Sequence, residues 1–396
     1  MPRPLDLAAV REALASFKLD GWLFYDFHHS DPLGYRILGL PEDRMATRRW
    51  FYFIPAKGEP SKITHKIEPE MLEPAPGQRL PYSGLSELND RLDSILKGRK
   101  RIAMQYSPEN AIPYISRVDA GTMEMIRKRG VEVVSSADLV QIFEATMTEA
   151  QLETHLEAAA VLRQTVDLTF KEVRRRILAG VPTNEYEIQQ FMVKHFEKND
   201  CVFDHAPIVA VNEHSGNPHY GPTPETAFPI RRGDHFLIDL WCKKNAADAV
   251  YADITWTAFL DSSVPAENQK VFDVVTGGRD AAAKFALEAL NSGREIRGWE
   301  VDDVSRGFIA GKGYGDYFVH RTGHNLSYEV HGNGANIDHF ETKDDRRLIP
   351  RTAFTIEPGV YLPKFGVRSE IDIYIGQGEA MITGQPIQTR IEPLLA

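Results

Sequence analysis

Hydrophobic and polar positions follow one rhythm up to about residue 145. Short apolar runs alternate there with amphipathic stretches. GWLFYDF (21–27), RRWFYFIP (48–55), SKITHKI (61–67) and RIAMQY (101–106) concentrate aromatic and β-branched residues and predict strands. SELNDRLDSIL (86–96) and AGTMEMIRKRG (120–130) repeat at helical spacing, the second closing on Gly130. The opening MPRPLDLAAVREALASFKL sets Leu7, Val10, Leu14 and Phe17 on one helical face. It lacks the continuous apolar core of a signal peptide.

The rhythm changes near residue 146. Thr148 and Gln151 form a capping-box pattern that opens a long helix running to Leu178, stopped by Gly180. Thr183 is expected to cap a second helix, NEYEIQQFMVKHFEK. A loop and a strand pair around IDLWCKKNAADAVYADITWT follow. Then the order recurs: a long helix over 266–290 ending before Gly293, a second over 300–311, a histidine-rich loop, and two strands, RTAFTIEPGVYL and GVRSEIDIYIG. Helix, helix, strand pair thus appears twice without matching sequence, an architectural repeat only.

Composition narrows the class. The chain has 396 residues, is 42% hydrophobic and carries a net charge of -10. Its Lys and Arg are scattered, which argues against a nucleic-acid surface. No apolar run approaches the ~18 residues of a membrane span. Two cysteines without a CxxC exclude a disulfide framework and fit a reducing, cytoplasmic compartment. His28-His29 has no acidic or thiol partner nearby and reads as a loop pair.

The chemistry sits in the strand pairs. Asp239 ends the apolar run HFLID, and Asp253 lies in YADITWTAFL, although Asp is depleted in strands. A simple hairpin turning at Asn245-Ala246-Ala247 places Asp239 opposite Asp253, with Cβ atoms about 5 Å apart. Bare carboxylates at that distance repel, so one is protonated or a cation lies between them. Asp248 then falls beside the turn, opposite Lys244, and is solvated. In the second pair Glu357 ends an apolar run closed by Pro358. Alternation places Arg368, Glu370, Asp372 and Tyr374 on one face of VRSEIDIYI. His320, His324 and His331 lie between the pairs. Four carboxylates and an imidazole suit two divalent ions such as Mn²⁺, Zn²⁺, Co²⁺ or Fe²⁺.

In this order, IDL…ADIT, GH, TIEPG and VRSE resemble the motifs of the pita-bread metallopeptidases. That family includes methionine aminopeptidase, Xaa-Pro aminopeptidase and Xaa-Pro dipeptidase (prolidase). The resemblance covers about residues 148–390, and the front domain resembles the creatinase-type domain of the proline-directed members. It implies an α/β creatinase-type domain over 1–146. An α+β pita-bread catalytic domain with pseudo-twofold helix-helix-hairpin halves is then expected over 147–396.

By resemblance, Asp239, Asp253, His324, Glu357 and Glu370 are metal ligands for two divalent ions per chain. Asp253 and Glu370 bridge, Asp239 holds one ion, and His324 and Glu357 complete the other. A metal-bridging hydroxide would attack the peptide carbonyl, with Glu357 passing the proton to the leaving nitrogen. His331 and His219 match the two histidines that polarise the carbonyl and hold the oxyanion. Arg368 matches an arginine that orients a ligand. Tyr361 is a further hydrogen-bond donor, and Lys343 is the cation for a product-side carboxylate. His320 and His214 find no match and read as structural or exposed.

The sequence departs from the family at several points. Its aspartates stand fourteen apart, farther than is usual. Trp241 and Ser327 each replace a common glycine, and Gly332 replaces an acid.

The expected activity is hydrolysis of Xaa-Pro dipeptides, with Xaa-Pro aminopeptidase action on longer peptides as the alternative. A creatinase-like amidinohydrolase or a non-catalytic binding module on this fold would lose the ligand set, which is complete here. The expected substrate is a short proline-containing peptide, with no nucleic acid or membrane partner, and the family implies a homodimer.

Overall fold

The computed structural model describes residues 5–396, so the first four residues of the opening amphipathic stretch lie outside the described residues. The chain divides into two compact units, Met1–Glu144 and Ala145–Ala396.

The first unit is built from strands β1 (Gly21–Asp26), β2 (Trp50–Pro55), β3 (Ser61–Ile63), β4 (Gln78–Arg79), β5 (Arg101–Met104) and β6 (Glu132–Ser135). They form one mixed sheet in the order β4-β3-β2-β1-β5-β6. Helices α1 (Leu7–Ser16), α2 (Pro32–Leu38), α3 (Leu85–Leu96), α4 (Ala120–Arg127) and α5 (Ala137–Glu144) complete it. Trp22 and Phe24 enter one core while Leu23 and Tyr25 enter another. A sheet buried on both faces explains why GWLFYD and WFYFIP read as unbroken apolar runs. SKITHKI keeps strand geometry only to Ile63, with a lone bridge from His65 to Tyr82 beyond it. His28 and His29 take left-handed backbone in an exposed turn.

The second unit begins with helices α6 (Glu149–Leu178) and α7 (Glu185–Lys198). The Thr148–Gln151 capping box forms. Asn184, not Thr183, caps α7: its Oδ1 accepts from the Glu187 N–H at 2.8 Å. The Thr183 hydroxyl instead lies between Arg176 and the Glu187 carboxylate. The short strands β7 (Cys201–Val202) and β8 (Ile208–Val211) and the long pair β9 (His235–Lys244) and β10 (Ala252–Phe259) follow. The second half repeats the plan with α8 (Ala266–Asn291) and α9 (Gly298–Gly311). Its strands are β11 (Asn325–Leu326), β12 (Thr352–Ile356), β13 (Gly359–Tyr361), β14 (Gly366–Arg368), β15 (Ile371–Ile375), β16 (Ala380–Thr383) and β17 (Glu392–Pro393). The two long helices end alike, on the positive-φ glycines Gly180 and Gly293, where a side chain would be strained.

Each half buries one face of its strands under helices. Phe236, Ile238 and Leu240 of β9 pack with Ala158, Leu162 and Val166 of α6. Phe354 and Ile356 of β12 and Ile373 of β15 pack with Ala282 and Ala286 of α8. Alternation then delivers Asp239, Asp253 and Thr255 to the face turned away from those helices. Among the described residues, no helix is long and apolar enough to cross a membrane.

Candidate metal centre

The first strand pair differs from the simple hairpin. Asp239 pairs with Thr255 and Asp253 with Trp241, so the two aspartates share a face as diagonal neighbours rather than facing each other. The connection, residues 245–251, is long because its polar groups are engaged elsewhere. The Asn245 N–H donates to the Asp200 carbonyl at 2.9 Å, and the Tyr251 N–H to the Ser327 carbonyl at 2.9 Å. Asp248 is exposed at this loop.

The second pair is not continuous. One strand breaks at Glu357-Pro358 and the other at Ser369-Glu370, so β12 and β15 belong to one sheet while β13 and β14 form a separate ribbon. Arg368 and Asp372 therefore stand on different strands, and the single face read from alternation does not exist. The breaks bring in the acids. The Glu357 N–H donates to the Thr322 carbonyl at 2.7 Å, and the Glu370 N–H reaches across to the Thr255 carbonyl of the first half at 3.4 Å.

Asp253, His324 and Glu370 converge in the interior, each offering a ligand atom within 4.8 Å of the others. His324 Nε2 lies 3.7 Å from Asp253 Oδ2 and 3.3 Å from Glu357 Oε1. Thr255 Oγ1 lies 2.9 Å from Asp239 Oδ1 and 2.8 Å from Glu370 Oε2. His324 thus touches Asp253 and Glu357, the Thr255 hydroxyl joins Asp239 to Glu370, and the shared reach of Asp253, His324 and Glu370 brings the two groups together.

The arrangement suits divalent cations by three observations. Asp253 Oδ1 and Glu370 Oε1 are buried without a hydrogen-bond partner, which is costly unless something positive fills the gap. A hydroxyl has one hydrogen to give, so Thr255 alone cannot satisfy both carboxylates beside it. Burial and mutual repulsion push the carboxyls of Asp253 and Glu370 well above their usual range, and burial raises Glu357 to about 7. Burial also pulls the His324 imidazole well below its usual value, leaving it neutral and able to act as a ligand.

Around this core, Arg368 ties the halves together. Its Nη2 donates to Asp239 Oδ2 at 2.5 Å, its Nη1 to the Tyr361 hydroxyl at 2.9 Å, and its Nε to Thr255 Oγ1 at 3.2 Å. The chain continues to His320, whose Nε2 lies 2.7 Å from the Tyr361 hydroxyl. His320 therefore belongs to this network. Its sequence signal was its place in HRTGH, four residues before His324. His214 instead packs on Phe228 and pairs with buried Glu185, a structural role. Asp372 was also missed: its Oδ2 accepts the Asp253 N–H at 3.0 Å, bracing the strand behind that carboxylate.

The His331 ring meets the His324 ring edge-on at 4.4 Å and keeps an exposed edge. Partial burial lowers its pKa, and the charges of Arg321, Asp204, Asp239 and His219 all act on it. His219 is exposed. Lys343 is exposed too, and its Nζ lies over the Trp299 ring at 5.1 Å rather than against the carboxylates. The charge of Arg321, three residues before His324, acts on His324 and His331 and, after that of Arg368, on Glu357.

Two departures prove to be one. A Cβ at Gly332 would lie 2.3 Å from Asn325 Oδ1 and 2.8 Å from Ser327 Oγ. The Asn325 and Ser327 side chains occupy the space that any side chain at 332 would need.

Known proteins resemble the chain in sequence and in fold. The sequence profile of metallopeptidase family M24 matches residues 153–377. YkvY of Bacillus subtilis, a candidate dipeptidase by name, is 29% identical over 262 residues, 65% of each chain. The Xaa-Pro dipeptidase of Pyrococcus furiosus is 29% identical over 250 residues, 61% of this chain and 64% of that one. Both alignments span slightly less than two thirds of the relative. The crystal structure of dipeptidase PepE from Mycobacterium ulcerans superposes over 97% of this chain and 96% of its own, with a TM-score of 0.67 at 19% identity, a likeness of fold.

Proposed function

From the premise that the chain belongs to metallopeptidase family M24, we propose that it hydrolyses the bond before proline in short peptides, Xaa-Pro dipeptides above all. The observation that carries this reading is the convergence of Asp253 from the first half with His324 and Glu370 from the second, with unpartnered oxygens on both acids. Asp253 and Glu370 would be shared by two divalent ions, Asp239 would hold one, and His324 and Glu357 the other. Carboxylate and imidazole donors suit Mn²⁺, Co²⁺ or Zn²⁺. When bound, such ions supply Lewis acidity and acidify water.

The chain's own groups supply the rest. Glu357, whose Oε1 lies 3.3 Å from His324 Nε2 at the edge of the cluster, is placed to carry a proton. It gives that proton to the leaving proline nitrogen, which is a tertiary amide and departs poorly without one. His331, beside His324, donates to the carbonyl oxygen as negative charge grows there, with His219 as a second donor. Arg368, braced by Tyr361, fixes Asp239. Arg321, rather than Lys343, meets the product-side carboxylate. Two free, buried cysteines support a reducing, cytoplasmic setting.

A second reading, Xaa-Pro aminopeptidase, is favoured by the position of Lys343 over Trp299, away from the carboxylates. The test is hydrolysis of Ala-Pro against Ala-Pro-Ala by chelated and Mn²⁺-loaded enzyme. Metal-dependent cleavage faster on the dipeptide supports the main reading, equal rates favour the second, and activity in full chelator refutes both.

A further inference from the structure

Trp241 stands directly across from Asp253, two residues beyond Asp239, on the face that carries the carboxylates. The helix-facing core takes its neighbours Leu240 and Cys242 instead. The indole packs against two apolar clusters, one of Ile208, Ala210 and Leu237 and one that includes Tyr251 and Val330, yet stays partly exposed. Its ring N–H donates to Asp204 Oδ1 at 2.7 Å. Asp204 Oδ1 also accepts the His205 N–H at 2.8 Å, so the anchor is itself held. A large apolar surface pinned in this way, with part of it left open beside buried carboxylates, is built to meet something apolar.

The direction of a bound peptide identifies what it meets. The peptidase reading sets the product carboxylate against the second half, where Arg321 stands three residues before His324. Trp241 borders Asp253 on the strand pair of the other half, so it faces the residue on the amino side of the scissile bond. We propose that Trp241 is the wall of that subsite and selects an apolar side chain there, with Asp204 positioning the indole. The inference rests on the Xaa-Pro peptidase reading. Asp204 adds a consequence: a fixed negative charge beside the subsite disfavours an acidic side chain.

The test uses the metal-loaded full chain and the substrates Gly-Pro, Leu-Pro and Asp-Pro. The wild type should prefer Leu-Pro to Gly-Pro by ~10-fold or more in kcat/KM, with Asp-Pro poorest. Trp241→Ala should bring the Leu-Pro to Gly-Pro ratio to within ~3-fold of unity, mainly through KM, with metal content unchanged. Trp241→Phe keeps the apolar body and should retain most of the preference. Asp204→Ala frees the indole and should give an intermediate ratio. Calorimetric binding of the product L-leucine gives a readout separate from turnover: Trp241→Ala should weaken it while glycine binding stays the same. Should Trp241→Ala not fold, Trp241→Leu serves, with an intermediate ratio expected. An unchanged ratio together with unchanged leucine binding overturns the wall alone. A wild type that cleaves Xaa-Pro dipeptides without preferring Leu-Pro overturns it too, whereas one that cleaves none of them overturns the peptidase reading with it.

Discussion

The two halves of the second unit solve one problem differently. In the first half, β9 and β10 run unbroken, and Asp239 and Asp253 ride on a regular ladder as diagonal neighbours. In the second half both strands break at the level of the acids, and the segments on either side join separate sheets. The difference shows how two strand pairs can share one charge cluster. A continuous ladder holds its acids in place, and the acid N–H that it turns outward, that of Asp253, is taken by Asp372 of the other half. Broken strands free the Glu357 and Glu370 N–H groups to bond Thr322 and, across the halves, Thr255. One half is a platform, and the other reaches over to it.

The sharpest way to break this comparison is to remove one acid from each half. Asp253→Asn and Glu370→Gln should each lower turnover by ~10³-fold or more, since on the proposed reading each removes a ligand shared by two ions, worth several kcal/mol. Both should also lose most of the rise in melting temperature that Mn²⁺ gives the wild type. If only the Glu370 variant responds, the platform acid is not a ligand. Next in size is His331→Ala, which should keep its metal and lower turnover by ~10²–10³-fold, the usual worth of one oxyanion donor. Loss of metal in that variant would make His331 a ligand rather than a donor.

Much of this contrast was legible in the sequence. Alternation with apolar neighbours placed Asp239, Asp253 and Glu357 in or at the ends of strands, and the Thr148–Gln151 box marked the start of α6. Register was less visible. Asn245 has turn chemistry, yet its N–H is bound to Asp200 and Tyr251 is held by Ser327, so pairing resumes only at Ala252. Tertiary partners decided that outcome, and they leave no local pattern. The break at Ser369-Glu370 was hidden for the same reason: VRSEIDIYI alternates well enough for one strand, while the Ser369 N–H bonds the Pro358 carbonyl and the Glu370 N–H the Thr255 carbonyl of the other half. His320 reads as structural or exposed in the sequence because its partner, Tyr361, is forty-one residues away.

Removing the metal should sharpen the comparison through pH. Asp253, Glu370 and Glu357 have folded-state pKa values above their ordinary ones. Above the ordinary carboxylate range the unfolded chain therefore binds fewer protons than the folded one, and stability falls as pH rises. For Glu357 the window runs from about 4.5 to about 7. Chelated protein should lose on the order of 1–3 kcal/mol across it. Urea unfolding at pH 5 and pH 7.5, with and without Mn²⁺, measures this directly. A loss of the same size in metal-loaded protein would place its origin outside the cluster.

A smaller effect tests the brace behind the platform. Asp372 belongs to the broken half but holds the backbone N–H of Asp253. Asp372→Ala should weaken metal affinity by ~10–100-fold, the usual cost of losing a group that orients a ligand. Asp372→Asn keeps an acceptor at that place and should recover most of it. Equal losses in the two variants would mean that the charge of Asp372, not its bond to Asp253, is what matters.

The smallest expected effect falls on Lys343. The loop before β12 is rich in cations, and by sequence position Lys343 was the natural clamp for a substrate carboxylate. In the fold it is exposed and its ammonium lies over Trp299. The buried arginine of that loop, Arg346, is committed to Asp344 and the Asn333 carbonyl. Lys343→Ala should therefore change KM for Ala-Pro by no more than about 2-fold, the range of an ordinary surface substitution. Arg321→Met should raise that KM by ~10-fold or more and leave Ala-Pro amide nearly unaffected, because only the free carboxylate needs a cation. The pair separates two ways of placing a clamp. If Lys343→Ala raises KM for Ala-Pro and Arg321→Met does not, the carboxylate is met by the loop before the broken strand. If Arg321→Met does so, it is met by the segment next to His320, and the half that reaches over to the platform also holds the free end of the substrate.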